Sequence, residues 1–538
     1  MKTRATSTHE QKMEKMAQLE RVISDAQSEL MQLSNEAGQD PPTGGLIVPE
    51  LQSQTQARPQ SRLQHSSYRN GCDSRDEDFL QRAVDRGLVT YETAREMYGI
   101  FQKDGAMYFP FDIIEKPDLE ANCRVWPMAT VTMVYAALAN THQNDTIEAF
   151  GRFIRTEVAH RMYVDFDFSI DLIYSVFMYM VFTFSSGDTE DSTVVSFFLI
   201  LSGVITMDIA NKDDIKAMHR AEPSSKRWKE ARRNIQLFLA YHTGVTSMTA
   251  SWYRQRLVNM TPVPSQYLDA LSTTRNPDDL IVVYHIRANL LINSALEAIT
   301  GPANLQPTAI KRSVDYYMNQ LKDLRHLAED GLGDQFFHGR YRYLLYDTLI
   351  MLEMALSENA VNQLIGHGCS SNDDWGFYIL PFMHGAHHLV DSFVEVVQHG
   401  TIFPRFFYIR ALYALVSLLR CNVIMWSFGQ ENTAELGLQD SLTKIQQAWS
   451  KCTQKSTTAQ SLHPLLLKVE GWVQILDSKK ADGDRPSREA VQKSSRLIQD
   501  LVRSLDQKAE PPPPPPSSAY DDQNQVEQIL QELFSEII

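Results

Sequence analysis

The chain has no closely spaced cysteine pair. Its five cysteines, Cys72, Cys123, Cys369, Cys421 and Cys452, are scattered and odd in number. That pattern argues against a zinc ribbon and a disulfide framework, and it suits reduced thiols of the cytosol or nucleus. An apolar leader is missing too, since "MKTRATSTHEQKMEKM" contains no hydrophobic core of the signal-peptide kind. Long apolar runs are scarce. The most membrane-like, Thr193 to Met207, falls short of the roughly 18 residues a span requires and is flanked by Asp188, Glu190, Asp191 and Asp208. A buried core helix is expected there, with no membrane partner. Positive charge is in deficit: a formal net charge of -15 over 538 residues opposes nucleic-acid binding by the chain as a whole, which needs clustered Lys and Arg. GxxxxGK[ST], GxSxG and HExxH do not occur. "GLGDQF" from Gly331 begins like a dinucleotide loop but has Phe336 where the last glycine belongs and no strand before it.

What is present is helical periodicity. Hydrophobic residues at 43% and aromatics at 10% allow a sizeable core, and no segment alternates apolar and polar residues beside a hairpin turn. In "RNPDDLIVVYHIRANLLINSALEAI", Asn276 caps, Pro277 fits the first helical position, and Asp278 and Asp279 favour the positive end of the dipole. Its apolar positions Leu280, Tyr284, Ile286, Leu290 and Leu291 are too dense for a surface stripe, so the helix is expected inside. Comparable runs fall at 169–185, 193–219, 306–330, 340–356, 403–428, 432–453 and 485–508. The expectation is an all-α fold with a single large body at 75–508.

The flanks read differently. Met16, Leu19, Ile23, Ala26, Leu30 and Leu33 recur at spacings of three and four within a Gly- and Pro-free stretch, the seam of a dimerising coiled coil over 1–36, the alternative being a single amphipathic helix docked on the body. Residues 37–74 are rich in Gln, Ser, Pro and Gly and read as a disordered linker. Pro511 to Pro516 make a semi-rigid spacer over 509–519. Beyond it, Val526, Ile529, Leu530, Leu533, Phe534, Ile537 and Ile538 form one apolar helical stripe, while Asp521, Asp522, Glu527, Glu532 and Glu536 supply acid with no Lys or Arg in 520–538. Such a segment is expected to fold onto a partner's groove, the alternative being a helix that packs back on the body or in a coiled coil.

Two constellations could carry metal chemistry. In "HGAHHLVDSFVE", His384, His387, His388, Asp391 and Glu395 share a helix face in principle. No second carboxylate-histidine helix completes a di-metal bundle, and the plainer reading is a helix start whose histidines are exposed or hydrogen-bond locally. The acidic pairs of "KDDIKAM", "PDDLIVV" and "NDDWGF" resemble those of helical prenyl-chain enzymes, yet none has a third acid four residues on. The expectation is no catalytic residue, no metal ligand and no cofactor in this chain.

One passage is singular. "SRDEDFLQRAVDRGLVTYETAREMYGIFQKDGAMYFPFDII" leads, past Trp126, into "PMATVTMVYAALAN". A helix ending near Gly87, a second at Leu88 to Ile100, a loop at Tyr108 to Glu115 and a small-residue helix from Pro127 to Asn140 come in that order. Pro110 and Pro117 stop helix propagation, which frees Phe109, Phe111, Ile113 and Ile114 to anchor an extended loop; Ala129, Ala136, Ala137 and Ala139 permit close helix contact. The passage resembles the regulatory (middle homology) domain of fungal binuclear zinc-cluster transcription factors, nearest to the branch controlling leucine biosynthesis or the weak-acid response. The match covers roughly residues 75 to 185.

The resemblance implies a nuclear transcription regulator, an activator of RNA polymerase II transcription. It would work as a homodimer through the N-terminal helix, address a coactivator through the acidic tail, and respond to a small effector. An anionic effector would call on arginines such as Arg155, Arg161, Arg254, Arg256, Arg340 and Arg405. The six-cysteine cluster is absent, so zinc and DNA contact are expected only through a segment outside this sequence or through a partner. A helical scaffold or cofactor protein, and a metal-dependent helical enzyme, remain the alternative readings.

Overall fold

The computed structural model describes residues 79–108, 118–142, 146–165, 169–183, 212–252, 265–300, 306–338, 341–367, 372–402, 404–429 and 437–482, with Arg485, Pro486, Val491 and Ser494. The coiled-coil positions Met16 to Leu33, the linker, the tail positions Val526 to Ile538, the loop anchors Phe109, Phe111, Ile113 and Ile114, all of 193–211 and most of 485–508 lie outside them. Within the described residues, helices account for 88% and no strand occurs. The fold is all-α.

The small-residue helix sits at the centre of the first half. α1 (Phe79–Asp85) and α2 (Tyr91–Ile100) precede it, joined by a turn in which Gly87 takes φ +67°. Thr90 caps α2 through the Thr93 amide. α3 (Leu119–Val125) is capped by Asp118, whose side chain accepts from the Ala121 amide. Pro127 then opens α4 (Pro127–Thr141). Every residue of α4 from Pro127 to Asn140 is buried, the density its alanines allow, and it packs against α1, α2, α3, α5 (Thr146–Tyr163) and α6 (Ile170–Thr183). The α4 N-terminus, shut off from water, is satisfied from the side: buried Asp171 of α6 accepts from the Met128 and Ala129 amides, each at 2.9 Å, neutralising orphan donors and the dipole together. Thr132 and Ser175 bond at 2.6 Å one turn further on.

The second half is a run of helix hairpins. α7 (Lys212–Arg220), α8 (Lys226–Trp252) and α9 (Ser265–Ser272) lead into α10 (Pro277–Thr300) and α11 (Pro307–Leu332). A 3-10 turn (Gly333–Phe337) and a π turn (Arg342–Tyr346) then precede α12 (Asp347–Gly366). α13 (Asn372–His399), α14 (Phe406–Ser427), α15 (Leu438–Thr453) and α16 (Thr457–Asp482) complete the described order. Short connections set α12 against α13 and α13 against α14, and α10 packs on both α11 and α12. α16 returns to the first half: the Thr457 hydroxyl donates to the Ala139 carbonyl at 2.8 Å, closing the C-terminal end of α4. The Arg405 amide reaches the Val181 carbonyl of α6 at 3.0 Å, and Tyr108 meets Phe407 edge to face at 5.4 Å.

Several boundaries depart from the sequence pattern. The run expected at 340–356 starts with a π turn and continues as α12 to Gly366. The histidine-rich segment expected at a helix start is the middle of α13, which passes through Pro381, as α16 passes through Pro464. Each proline leaves one carbonyl without its intrahelical donor, at Phe377 and at Gln460, and both residues are exposed, where water can satisfy the group.

α14 alone among the described helices is long and apolar enough to cross a membrane by length and composition, and 83% of that apolar window is buried inside the fold. Core burial accounts for its composition.

The α12–α13 contact is tight at Gly385. A Cβ there would fall against Met354 Cγ, with Sδ at 2.9 Å. Gly385→Val is expected to destabilise the protein by roughly 1–3 kcal/mol through overpacking, read as a lower urea midpoint at unchanged slope; an unchanged midpoint would show that Met354 can move away.

Candidate functional site

Polar groups gather inside the second half around the π turn. A π turn is one residue wider than an α turn and is frequent at functional positions. Here it turns the Tyr343 and Leu344 carbonyls toward side chains from neighbouring helices. Arg410 of α14 donates Nη1–H to the Tyr343 carbonyl at 2.9 Å and Nη2–H to Thr348 Oγ1 at 2.6 Å. His285 of α10 sets Nε2 against the Leu344 carbonyl and 3.2 Å from the same Thr348 hydroxyl. Thr348 itself donates to the Leu344 carbonyl at 2.7 Å. Facing a carbonyl, His285 Nε2 must be the protonated nitrogen. Burial, and secondarily the Arg410 charge, push His285 down to about 4, against the opposing pull of the Leu344 bond, so it is neutral at pH 7. Burial also lowers Arg410 to about 10, with Asp347 opposing, and Arg410 stays charged.

Side chains of α11, α12 and α13 hold the turn from its other sides. Asp347, the first residue of α12 and 1% exposed, takes His388 Nε2 at 2.8 Å on one oxygen and the Ser392 hydroxyl on the other. His388 meets the Tyr346 ring edge on at 5.2 Å. Arg325 of α11 lies 4.6 Å over that ring and donates to a Tyr346 hydroxyl 2.7 Å away. Glu395 of α13 accepts from the Tyr343 hydroxyl at 3.1 Å and pairs with Arg342 at 2.8 Å. Burial, then the Glu395 charge, push the Tyr343 phenol up to about 12. Four helices thus converge on one irregular turn.

The histidine-rich face is spread among different partners. His384 is exposed, His387 Nδ1 lies 3.1 Å from Ser441 Oγ, His388 serves Asp347, Asp391 pairs with Lys444 at 2.8 Å, and Glu395 serves Tyr343 and Arg342. Among the described residues, no three or more His, Cys, Asp or Glu side chains gather as a metal site would need. Of the acidic pairs, Asp213 pairs with Lys216 and the buried Asp214 with Arg227. Asn276 caps α10 as its sequence predicts, accepting from the Asp278 amide at 2.9 Å. Asp279 does more than favour the helix dipole: fully buried, it accepts from Arg232 at 2.7 Å and from Thr274 at 2.6 Å.

The arginines named for an effector are not gathered at the π turn. Arg155 donates to the Tyr179 hydroxyl at 2.6 Å. Arg161 is buried with its guanidinium 5.9 Å from the Phe79 ring, and Arg405 is buried at the start of α14. Arg254, Arg256 and Arg340 lie outside the described residues. The functionally suggestive cations that sequence reasoning missed are Arg410 and Arg420, and a signal for them exists: both interrupt the otherwise apolar α14, where a charge persists only with partners. No protein-family model, curated protein or solved structure matches the chain.

Proposed function

We propose that the chain is a transcription regulator: a helical, effector-responsive body that pairs through its N-terminal helix and recruits a coactivator through its acidic C-terminal segment, working in the nucleus and without catalysis of its own. One observation carries this reading. The passage that resembles the zinc-cluster regulators contains the helix on which the first half of the fold is built, α4, buried along its length from Pro127 to Asn140 and anchored by Asp171. The Gly87 turn, α2 and the Pro127 start come in the order the resemblance requires. Promoter contact would come from a partner or a segment outside this sequence. The convergence of four helices on the π turn supplies a place where a small ligand could be felt by much of the body.

The test is a reporter driven by the full chain tethered to a foreign DNA-binding domain. Activation is expected, and Phe534→Ala with Leu530→Ala should abolish it at unchanged melting temperature, because a buried aromatic with its apolar neighbours dominates helix-in-groove contacts. Normal activation by the double variant would defeat the reading of the tail, and a silent wild type would favour a scaffold protein. Self-association is tested separately. Ile23→Asp with Leu30→Asp should convert a dimer to a monomer in sedimentation, since charges at seam positions cannot be buried; an unchanged mass would assign dimerisation elsewhere or nowhere.

A further inference from the structure

We propose that Arg410, beside the π turn and next to His285, is the binding site for the carboxylate or phosphate group of a small ligand. The inference rests on the effector-responsive reading and gives the effector a place and a chemistry.

Arg410 is an inward cation with neutral partners. Three other inward arginines meet carboxylates: Arg420 pairs with Glu358 at 2.6 Å, Arg232 with Asp279 at 2.7 Å and Arg342 with Glu395 at 2.8 Å. Arg410 forms no ion pair among the described residues; its hydrogen bonds go to two neutral acceptors, the Tyr343 carbonyl and the Thr348 hydroxyl. The carboxylate in the same network, Asp347, already serves His388 and Ser392. Two of the five N–H groups are used, so the fork that suits a carboxylate or phosphate is not exhausted. The Phe406 and Phe407 rings stand 4.6 and 5.7 Å from the guanidinium carbon, which supports the cation by its π faces while supplying no counter-charge. Asp347 offsets the burial of Arg410 only in part, and a partly desolvated cation that meets no carboxylate directly is costly; an anionic ligand lowers that cost.

His285 completes the site. With Nε2–H spent on the Leu344 carbonyl, Nδ1 presents a lone pair with no hydrogen-bond partner among the described residues, which can accept from a hydroxyl of the ligand but not hold its anionic oxygens. It lies close to Arg410 through the shared Thr348 hydroxyl. Both residues keep a minor part of their surface exposed. The other charged or titratable groups around the site are paired among themselves: Arg342 with Glu395, Tyr343 with Glu395, Asp347 with His388, and Arg325 with Tyr346. Their charges largely cancel, which leaves Arg410 to select the sign of the ligand.

The experiment is calorimetric titration and thermal shift of the purified full chain with malonate and with inorganic phosphate, against sodium chloride at matched ionic strength. Malonate probes for a carboxylate and phosphate for a phosphoryl group. Saturable stabilisation by either, weakened at least tenfold in Arg410→Gln, is expected. Arg410→Lys keeps the charge and the aliphatic stem but loses the fork, so it decides the matter should the Gln variant fail to fold, and it too should bind at least tenfold more weakly. The proposal is overturned if neither anion exceeds chloride in the wild type, or if a folded Arg410 variant binds as tightly as the wild type. Reporter activation by the tethered chain is scored independently. Activation without anion binding would remove this site and leave the regulator standing; binding without activation would do the reverse.

Discussion

Glu358→Gln is expected to destabilise the helical body by about 3–5 kcal/mol, the cost of stranding one half of a buried ion pair. Glu358 of α12 and Arg420 of α14 are 1% and 2% exposed. Arg420 Nη1 donates to Glu358 Oε1 at 2.6 Å, and the Tyr413 hydroxyl donates to the other oxygen at 2.8 Å. A glutamine keeps the shape, but it removes the charge that Arg420 needs and offers an amide N–H where Tyr413 or Arg420 must find an acceptor. Arg420→Met should cost a similar amount, because a buried carboxylate then loses its cation. The double variant Glu358→Leu/Arg420→Met should be milder than either single change, since no uncompensated charge stays inside. Urea unfolding of the four proteins reads this ordering directly. Single variants within about 1 kcal/mol of the wild type would show that water reaches the pair.

The second large effect is acid lability that depends on His285. Its folded-state value of about 4 lies below the ~6.5 of an unfolded histidine. Above about pH 6.5 the ring is neutral in both states and costs nothing. As the pH falls below that, the unfolded chain takes up a proton that the folded chain refuses. Stability therefore drops through the window from about 6.5 to about 4 and levels off below it, by an amount on the order of 3 kcal/mol. His285→Gln keeps a donor for the Leu344 carbonyl without a titrating ring. The difference in melting temperature between wild type and His285→Gln should widen steadily across that window in favour of the variant, relative to its value at pH 7.5. Carboxylates and other histidines titrate in both proteins and cancel in the difference. A pH-independent difference would mean that the imidazole can be protonated in place.

Much of the helical order was legible in the chain. The Asn276–Pro277 start of α10 and the Pro127 start of α4 rest on backbone donors and a fixed φ at a few adjacent residues, and both stand as the residues imply. The alanines of α4 announced close packing because small side chains permit nothing else so well. The segments at 169–185, 306–330 and 403–428 became α6, α11 and α14 with shifts of a few residues. α13 and α16 run through Pro381 and Pro464 because the carbonyl that each proline leaves without a donor belongs to an exposed residue, and packing along the rest of each helix outweighs the loss. The π turn at Arg342–Tyr346 has no periodic signature, since one extra residue in one turn does not disturb an apolar pattern.

The candidate site was much less legible. His285, Tyr343, Thr348, Arg410 and Glu395 belong to four stretches separated by tens of residues, and no spacing rule connects them. The histidines of α13 looked like a ligand set because they are close in sequence; the fold sends His387 to Ser441, His388 to Asp347 and leaves His384 exposed. By itself, then, the sequence determined that the body is helical, where several helices begin, and that α4 and much of α10 lie inside, although Leu290 of α10 is exposed, because caps, prolines and apolar periodicity act over a few residues. Only the tertiary structure decided which charges meet. Arg420 found Glu358 and Arg410 found neutral acceptors because helix packing, set by the volumes of hundreds of side chains at once, chose their neighbours.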